Sequence, residues 1–209
     1  MTASMTAFAR HENSGDWGRA TWEIRTVNHR YLDMSIRLPD ELRYLEGVTQ
    51  DQVNRSIWVV EEKERAVVEL DVNGNEQNRI IITDVIPAET DNFLEGISYH
   101  DGILYIVTEK NPKQLLLLDV ATENITASYN LDFADDFSGI SYDSSGPYLW
   151  LISDQSQTVS RCNLQGVVDK SFQLDFTKGE GVAADPATGR LFIVNDATAE
   201  LYVFELPPD

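Results

Sequence analysis

Four short apolar runs organise most of the chain: Ile57-Trp58-Val59-Val60, Leu104-Tyr105-Ile106-Val107, Leu149-Trp150-Leu151-Ile152 and Leu191-Phe192-Ile193-Val194. Each has four consecutive apolar residues with an aromatic second, and each is bounded by polar turn residues. Runs of this length, rich in β-branched and aromatic side chains, predict strands buried on both faces. Each run follows a glycine-centred segment: Leu45-Glu46-Gly47-Val48-Thr49, Leu94-Glu95-Gly96-Ile97-Ser98, Phe137-Ser138-Gly139-Ile140-Ser141 and Gly179-Glu180-Gly181-Val182-Ala183. The glycines recur at intervals of 49, 43 and 42 residues, the period of a propeller blade. Third strands are expected at 66–72, 114–120, 158–164 and 200–206, and outer strands at 79–83, 125–131 and 170–176. The pattern predicts an all-β chain with a β-propeller fragment of about four blades, at 46–91, 92–135, 136–178 and 179–209. The last copy reaches Pro207-Pro208 before any fourth strand.

Residues 1–45 follow a different pattern. They predict strands at 5–11, 20–27 and 32–38, with a turn at Gly15 to Gly18. Pro39-Asp40-Glu41-Leu42 then places proline in the first turn and acids at the positive end of the dipole, which is helix-start chemistry. This segment holds six arginines and six acidic residues, so it is neutral, and it contains all three methionines and no lysine. The whole imbalance of the chain, 16 basic against 35 acidic residues and a net charge of −19, therefore lies beyond residue 45. Such a break points to two sources of sequence, a short β-rich segment at 1–45 and the repeats at 46–209.

The charge works against binding DNA or RNA through phosphates and favours cations or basic partners. A single cysteine, Cys162, excludes an intrachain disulfide and a cysteine-rich zinc site. The N-terminus lacks the apolar core of a signal peptide, and no run approaches the ~20 apolar residues needed to span a bilayer. As written, the chain is expected to stay in the cytoplasm. An open propeller would expose blade faces and strand edges, so self-association through them is expected.

Two columns of the repeat carry acid. Before the glycine stand Glu46, Glu95, Ser138 and Glu180; two residues beyond the apolar run stand Glu62, Glu109, Asp154 and Asp196. First strands line a propeller's channel, so Glu46, Glu95 and Glu180 would form a partial ring at one mouth. Like charges so placed repel unless a cation sits among them, and carboxylate oxygens at ~2.3–2.6 Å are what Ca²⁺ selects. These three are the first candidates for metal ligands, with Glu62, Glu109, Asp154 and Asp196 as second candidates. The competing reading, favoured for the second column, has these carboxylates accepting backbone hydrogen bonds or closing turns between strands. Asp51, Asp143 and Asp185 are expected turn formers. His100, Ser153 and Asp196 come from different blades without a nucleophile-elbow signature, so no catalytic set is expected. The aromatic residues of the four runs are expected in the core.

With these residues laid out, 46–209 resembles the SdiA-regulated family, also called YjiK or CarP-like proteins. The likeness is carried by the glycine segments, by Ile57-Trp58-Val59-Val60-Glu61-Glu62-Lys63, by Glu109-Lys110-Asn111-Pro112-Lys113 and by Lys178-Gly179-Glu180-Gly181-Val182-Ala183 with Leu191-Phe192-Ile193-Val194. The resemblance implies a non-enzymatic bacterial propeller of the plasma membrane or periplasmic envelope, linked to calcium, with a further blade ahead of the first one present here. Residues 1–45 resemble the start of the YicC endoribonucleases, through Ser4-Met5-Thr6-Ala7-Phe8-Ala9-Arg10, Gly18 to Leu32 and Arg37-Leu38-Pro39. The chain thus reads as a chimera whose patterns meet at Tyr44-Leu45-Glu46. The alternatives are an endoribonuclease-related fragment, in which Asn28, His29, Arg30 and Tyr31 are the most chemically capable cluster, and a metal-dependent hydrolytic propeller of the lactonase or phytase kind.

Overall fold

The structure is a computed structural model. It describes residues 7–15, 18–26, 33–37, 45–62, 64–82 and 94–206. All described elements are strands. An N-terminal antiparallel sheet has the order β1 (Ala7–Gly15), β2 (Gly18–Thr26), β3 (Asp33–Arg37). Four further antiparallel sheets follow as consecutive meanders and form a four-blade β-propeller. Blade 1 is β4 (Leu45–Gln50), β5 (Ile57–Glu61), β6 (Ala66–Leu70) and β7 (Glu76–Ile81). Blade 2 is β8 (Leu94–His100), β9 (Ile103–Thr108), β10 (Gln114–Asp119) and β11 (Asn124–Asn130). Blade 3 is β12 (Gly139–Asp143), β13 (Tyr148–Ser153), β14 (Thr158–Asn163) and β15 (Val168–Gln173). Blade 4 has three described strands, β16 (Gly179–Asp185), β17 (Arg190–Asn195) and β18 (Glu200–Glu205).

Several strand ends differ from expectation, and the turns explain why. The third strands stop one or two residues early and the outer strands start early. Asp71 accepts from Gly74 N and Asn163 from Gly166 N, closing tight turns in which Gly74 and Gly166 hold φ of 85° and 79°. A residue with φ in that range lets the chain reverse at once, so Val72 and Leu164 fall in or beside turns instead of strands. β1 runs past His11 to Gly15 because its pairing with β2 continues unbroken to Gly15 opposite Gly18. The helix expected from Pro39, and the two residues between Gly15 and Gly18 where the turn is expected, fall outside the described residues.

Apolar side chains pack between blades as the double-faced pattern requires. Trp58, Val60 and Val67 of blade 1 meet Ile97, Leu104, Ile106, Leu116 and Leu118 of blade 2. Tyr105, Val107 and Leu115 of blade 2 meet Ile140, Leu149, Leu151 and Cys162 of blade 3. Trp150, Ile152 and Val159 of blade 3 meet Leu191 and Ile193 of blade 4. Fully burying one such side chain contributes roughly 1.5–3 kcal/mol, so these interfaces hold the array together. Each blade therefore has a front face, towards the next blade, and a rear face, towards the one before.

The repeated glycines sit where blades come closest. A Cβ on Gly47 would lie 2.8 Å from Glu95 O, on Gly96 2.9 Å from Gly139 Cα, and on Gly139 2.8 Å from Glu180 O. Only a residue without a side chain lets the first strands converge this far. A hydroxyl two residues later adds a rung between blades: Thr49 Oγ1 accepts from Tyr99 N at 3.0 Å, Ser98 Oγ from Tyr142 N at 2.9 Å, and Ser141 Oγ from Ala184 N at 2.9 Å.

Candidate functional site: an acidic channel mouth

The close approach at the glycines carries the preceding residues to one end of the channel. Glu46, Glu95, Ser138 and Glu180 line a single open cavity of about 680 Å³, together with Asn195, Asp196 and Glu200 of blade 4. The three first candidates are thus brought together, and one second candidate, Asp196, joins them. Glu62, Glu109 and Asp154 are not in the lining.

Electrostatics tie the mouth into one unit. Burial pushes the Glu95 carboxyl up to about 8, assisted by the charges of Glu46, Glu109, Glu62 and Glu180. Glu46, exposed at the rim, is raised by partial desolvation and then by Glu62, Glu109 and Asp196. Glu180 is raised by burial and by Asp154, with Lys178 pulling the other way. Burial in low dielectric and like charges both disfavour the ionised carboxylate. Both effects favour the protonated form of Glu95.

Asp154 takes the structural role weighed against metal binding. Its carboxylate accepts from Lys178 N at 2.6 Å and pairs with Lys178 Nζ at 2.7 Å, so it pins the start of the next blade. Those bonds hold its carboxyl below the ordinary value against the opposing effect of burial. Glu109 pairs with Lys110 Nζ at 2.5 Å. Lys178 Nζ also lies 3.8 Å from Glu180. Among the described residues, no three His, Cys, Asp or Glu side chains are gathered closely enough to hold a metal ion between them. The mouth is an acidic funnel and not a preformed cage.

The turn aspartates are as expected. Asp51 Oδ1 accepts from Val53 N and Asn54 N, Asp143 Oδ1 from Ser145 N, and Asp185 Oδ1 from Ala187 N. Asp143 also accepts from Trp150 Nε1 at 3.0 Å, fixing the core indole. His100 lies in a separate cavity lined by Tyr99, Tyr142 and Asp185, away from the glutamates, with its ring stacked on Tyr142 at 3.8 Å. Trp58, Tyr105 and Trp150 are buried core residues, whereas Phe192 is only half-buried. The hydroxyl column Thr49, Ser98, Ser141 was not anticipated. Its signal stood in the repeat segments themselves, where the fourth copy has Ala183.

Consecutive antiparallel meanders whose first strands bring Glu46, Glu95 and Glu180 to one open cavity define a β-propeller with an acidic mouth. The SdiA-regulated family matches residues 45–205, and the chain belongs to that family. The family described as endoribonuclease YicC-like, N-terminal region, matches residues 2–79, which supports the chimeric reading and overlaps the first blade. Among curated relatives, the probable endoribonuclease YicC of Haemophilus influenzae is 40% identical over 89 residues, covering 39% of this chain and 31% of that protein. That of Clostridioides difficile is 28% identical over 125 residues, covering 60% of this chain and 38% of that protein. The chain thus spans about a third of the length of the curated relatives it matches. Among solved structures, the glutaminyl cyclase of Myxococcus xanthus superposes with a TM-score of 0.64 at 12% identity, covering 90% of this chain and 88% of that one. A chain of the nidogen/laminin complex gives 0.57 at 15%, covering 90% and 76%. At these identities the likeness is one of fold. No helix among the described residues is long and apolar enough to cross a membrane.

Proposed function

We propose that this chain is a non-enzymatic binding propeller whose acidic mouth responds to a hard divalent cation, with Ca²⁺ the first candidate, in the bacterial envelope. The observation that carries the reading is the convergence of Glu46, Glu95 and Glu180, from the first strands of three blades, on one open cavity. Since the carboxylates do not close on a single point, the ion would be held partly through its own waters, as oxygen-ligand sites for Ca²⁺ and Mg²⁺ commonly allow. A cation at the mouth would compete with the proton on Glu95, so binding would release protons near neutral pH. Support for calcium and for an envelope setting comes from the family resemblance.

Thermal unfolding of the whole chain with calcium and with chelator tests this. A ligand at ~100-fold its dissociation constant adds about 2.7 kcal/mol of stability, and Glu46→Gln with Glu180→Gln should abolish the rise. A transition indifferent to calcium, with no titration heat, removes the cation from the reading. Fractionation of cells expressing the natural gene tests the envelope setting, which fails if the protein stays in the soluble fraction.

A second reading rests on the 40% identity of the N-terminal portion to a probable endoribonuclease. RNA cleavage with Mn²⁺ or Mg²⁺ would support it, and intact RNA after prolonged incubation would remove it.

A further inference from the structure

Blade 4 and blade 1 present unmatched faces to each other across the array. On the front of blade 4, Val194 and Val203 are 46% and 45% exposed, beside half-buried Phe192 and Leu201. Among the described residues, a Cβ on Gly181 would meet only Val194 of its own blade, where the other repeat glycines meet a neighbouring blade. On the rear of blade 1, Val48 is 69% exposed, while Val59, Ala66 and Val68 just outward of it are buried. The described residues of that buried cluster all belong to blade 1 itself, so no described blade covers it.

We propose that the N-terminal sheet β1–β3 occupies this gap as a surrogate blade, so that a segment of YicC-like sequence closes a ring built from the other family. Connectivity supports this. Seven residues separate β3 from β4, within the range of the blade-to-blade links, which run from 5 residues (β15 to β16) to 12 (β7 to β8). β1–β2–β3 is an antiparallel meander like the blades, and its last strand feeds the first strand of the next sheet as β7, β11 and β15 do.

Placement supports it independently: β3, third in its sheet, comes close to β18, third in blade 4. Both superpositions on solved structures cover 90% of the chain. Residues 45–209 are 165 of 209, or about 79%, so those matches extend into the N-terminal segment as part of one arrangement. With Ala183 where the other blades carry a hydroxyl, blade 4 offers no side-chain hydroxyl for a hydrogen-bonded rung at that position.

The test uses the whole chain with a specific protease sequence inserted between Asp40 and Glu41. After cleavage, the two pieces should stay together on size exclusion as one monomeric species. Val194→Asp with Val203→Asp should release the N-terminal piece, and Val167→Asp, on a turn away from the gap, should not. Release of the piece from the unsubstituted protein, its retention by the double aspartate variant, or a dimer before cleavage would each overturn the proposal. Should the aspartates unfold the chain, hydrogen exchange of the uncut, unsubstituted protein decides: protected β3 amides support the surrogate blade, and exchange at the rate of free peptide contradicts it. None of these readouts depends on a cation at the mouth.

Discussion

Blades 3 and 4 carry nearly the same strand pattern in different surroundings, and the difference separates what the repeat encodes from what neighbours supply. Ile152 and Val194 close equivalent apolar runs, yet Ile152 is fully buried and Val194 is 46% exposed. Gly139 abuts the backbone of the next blade, whereas among the described residues Gly181 meets only Val194 of its own blade. Ser141 forms a rung to Ala184, and Ala183 at the equivalent position forms none. An apolar run therefore specifies a strand that can be buried on both faces, and burial follows only where a second blade of the same kind stands in front of it.

The sharpest way to break the comparison is to empty equivalent core positions. Trp150→Ala, which removes a buried indole and orphans Asp143 as its acceptor, should cost about 3–5 kcal/mol, while Phe192→Ala should cost less than half as much. Denaturant unfolding measures both, and equal losses would show that blade 4 is as tightly covered as blade 3. Next comes Gly139→Ala, where the added methyl meets a carbonyl oxygen and should cost about 1–3 kcal/mol. Among the described residues Gly181→Ala meets only a valine methyl, which can shift, and it should cost clearly less.

The mouth gives a pH-dependent contrast. In the folded chain the Glu95 carboxyl is pushed up to about 8, whereas in the unfolded chain it ionises near the ordinary value of 4.5. A carboxyl raised on folding stabilises fully below the unfolded value, and that contribution is lost as pH rises towards the folded one. The wild-type protein should therefore lose stability between about pH 4.5 and 8 relative to Glu95→Gln, by about 1–2 kcal/mol once screening is allowed for. Parallel pH profiles of the two would contradict the shift. The smallest effect is expected at the rungs: Ser141→Ala should cost about 1 kcal/mol by leaving Ala184 N without its partner, and Ala183→Ser should change stability by less than half of that.

Much of this architecture was legible in the residues. The glycine spacing and the four apolar runs located the blades, because a strand packed on both sides leaves a continuous apolar signature. Glu46, Glu95 and Glu180 could be placed together because their column precedes the glycines that bring the strands to the axis. The fate of the second column was harder to read. Asp154 is tied up by Lys178, 24 residues on, and only Asp196 reaches the mouth, since a turn's exact course decides where its carboxylate points. Strand ends were misjudged where Gly74 and Gly166 reverse the chain abruptly. Nothing in the sequence marked how the N-terminal sheet would stand relative to blade 4, because that depends on faces contributed by two unrelated patterns.

The central claim is that the glutamates from three blades act as one acidic site. It is tested most directly by titrating calcium into the whole protein at pH 7.5 in two buffers of different protonation enthalpy. A saturable heat that differs between the buffers is expected, reporting a proton displaced from Glu95, together with a buffer-independent signal in Glu95→Gln. An absence of heat, or binding with no proton released from the wild-type protein, would contradict it.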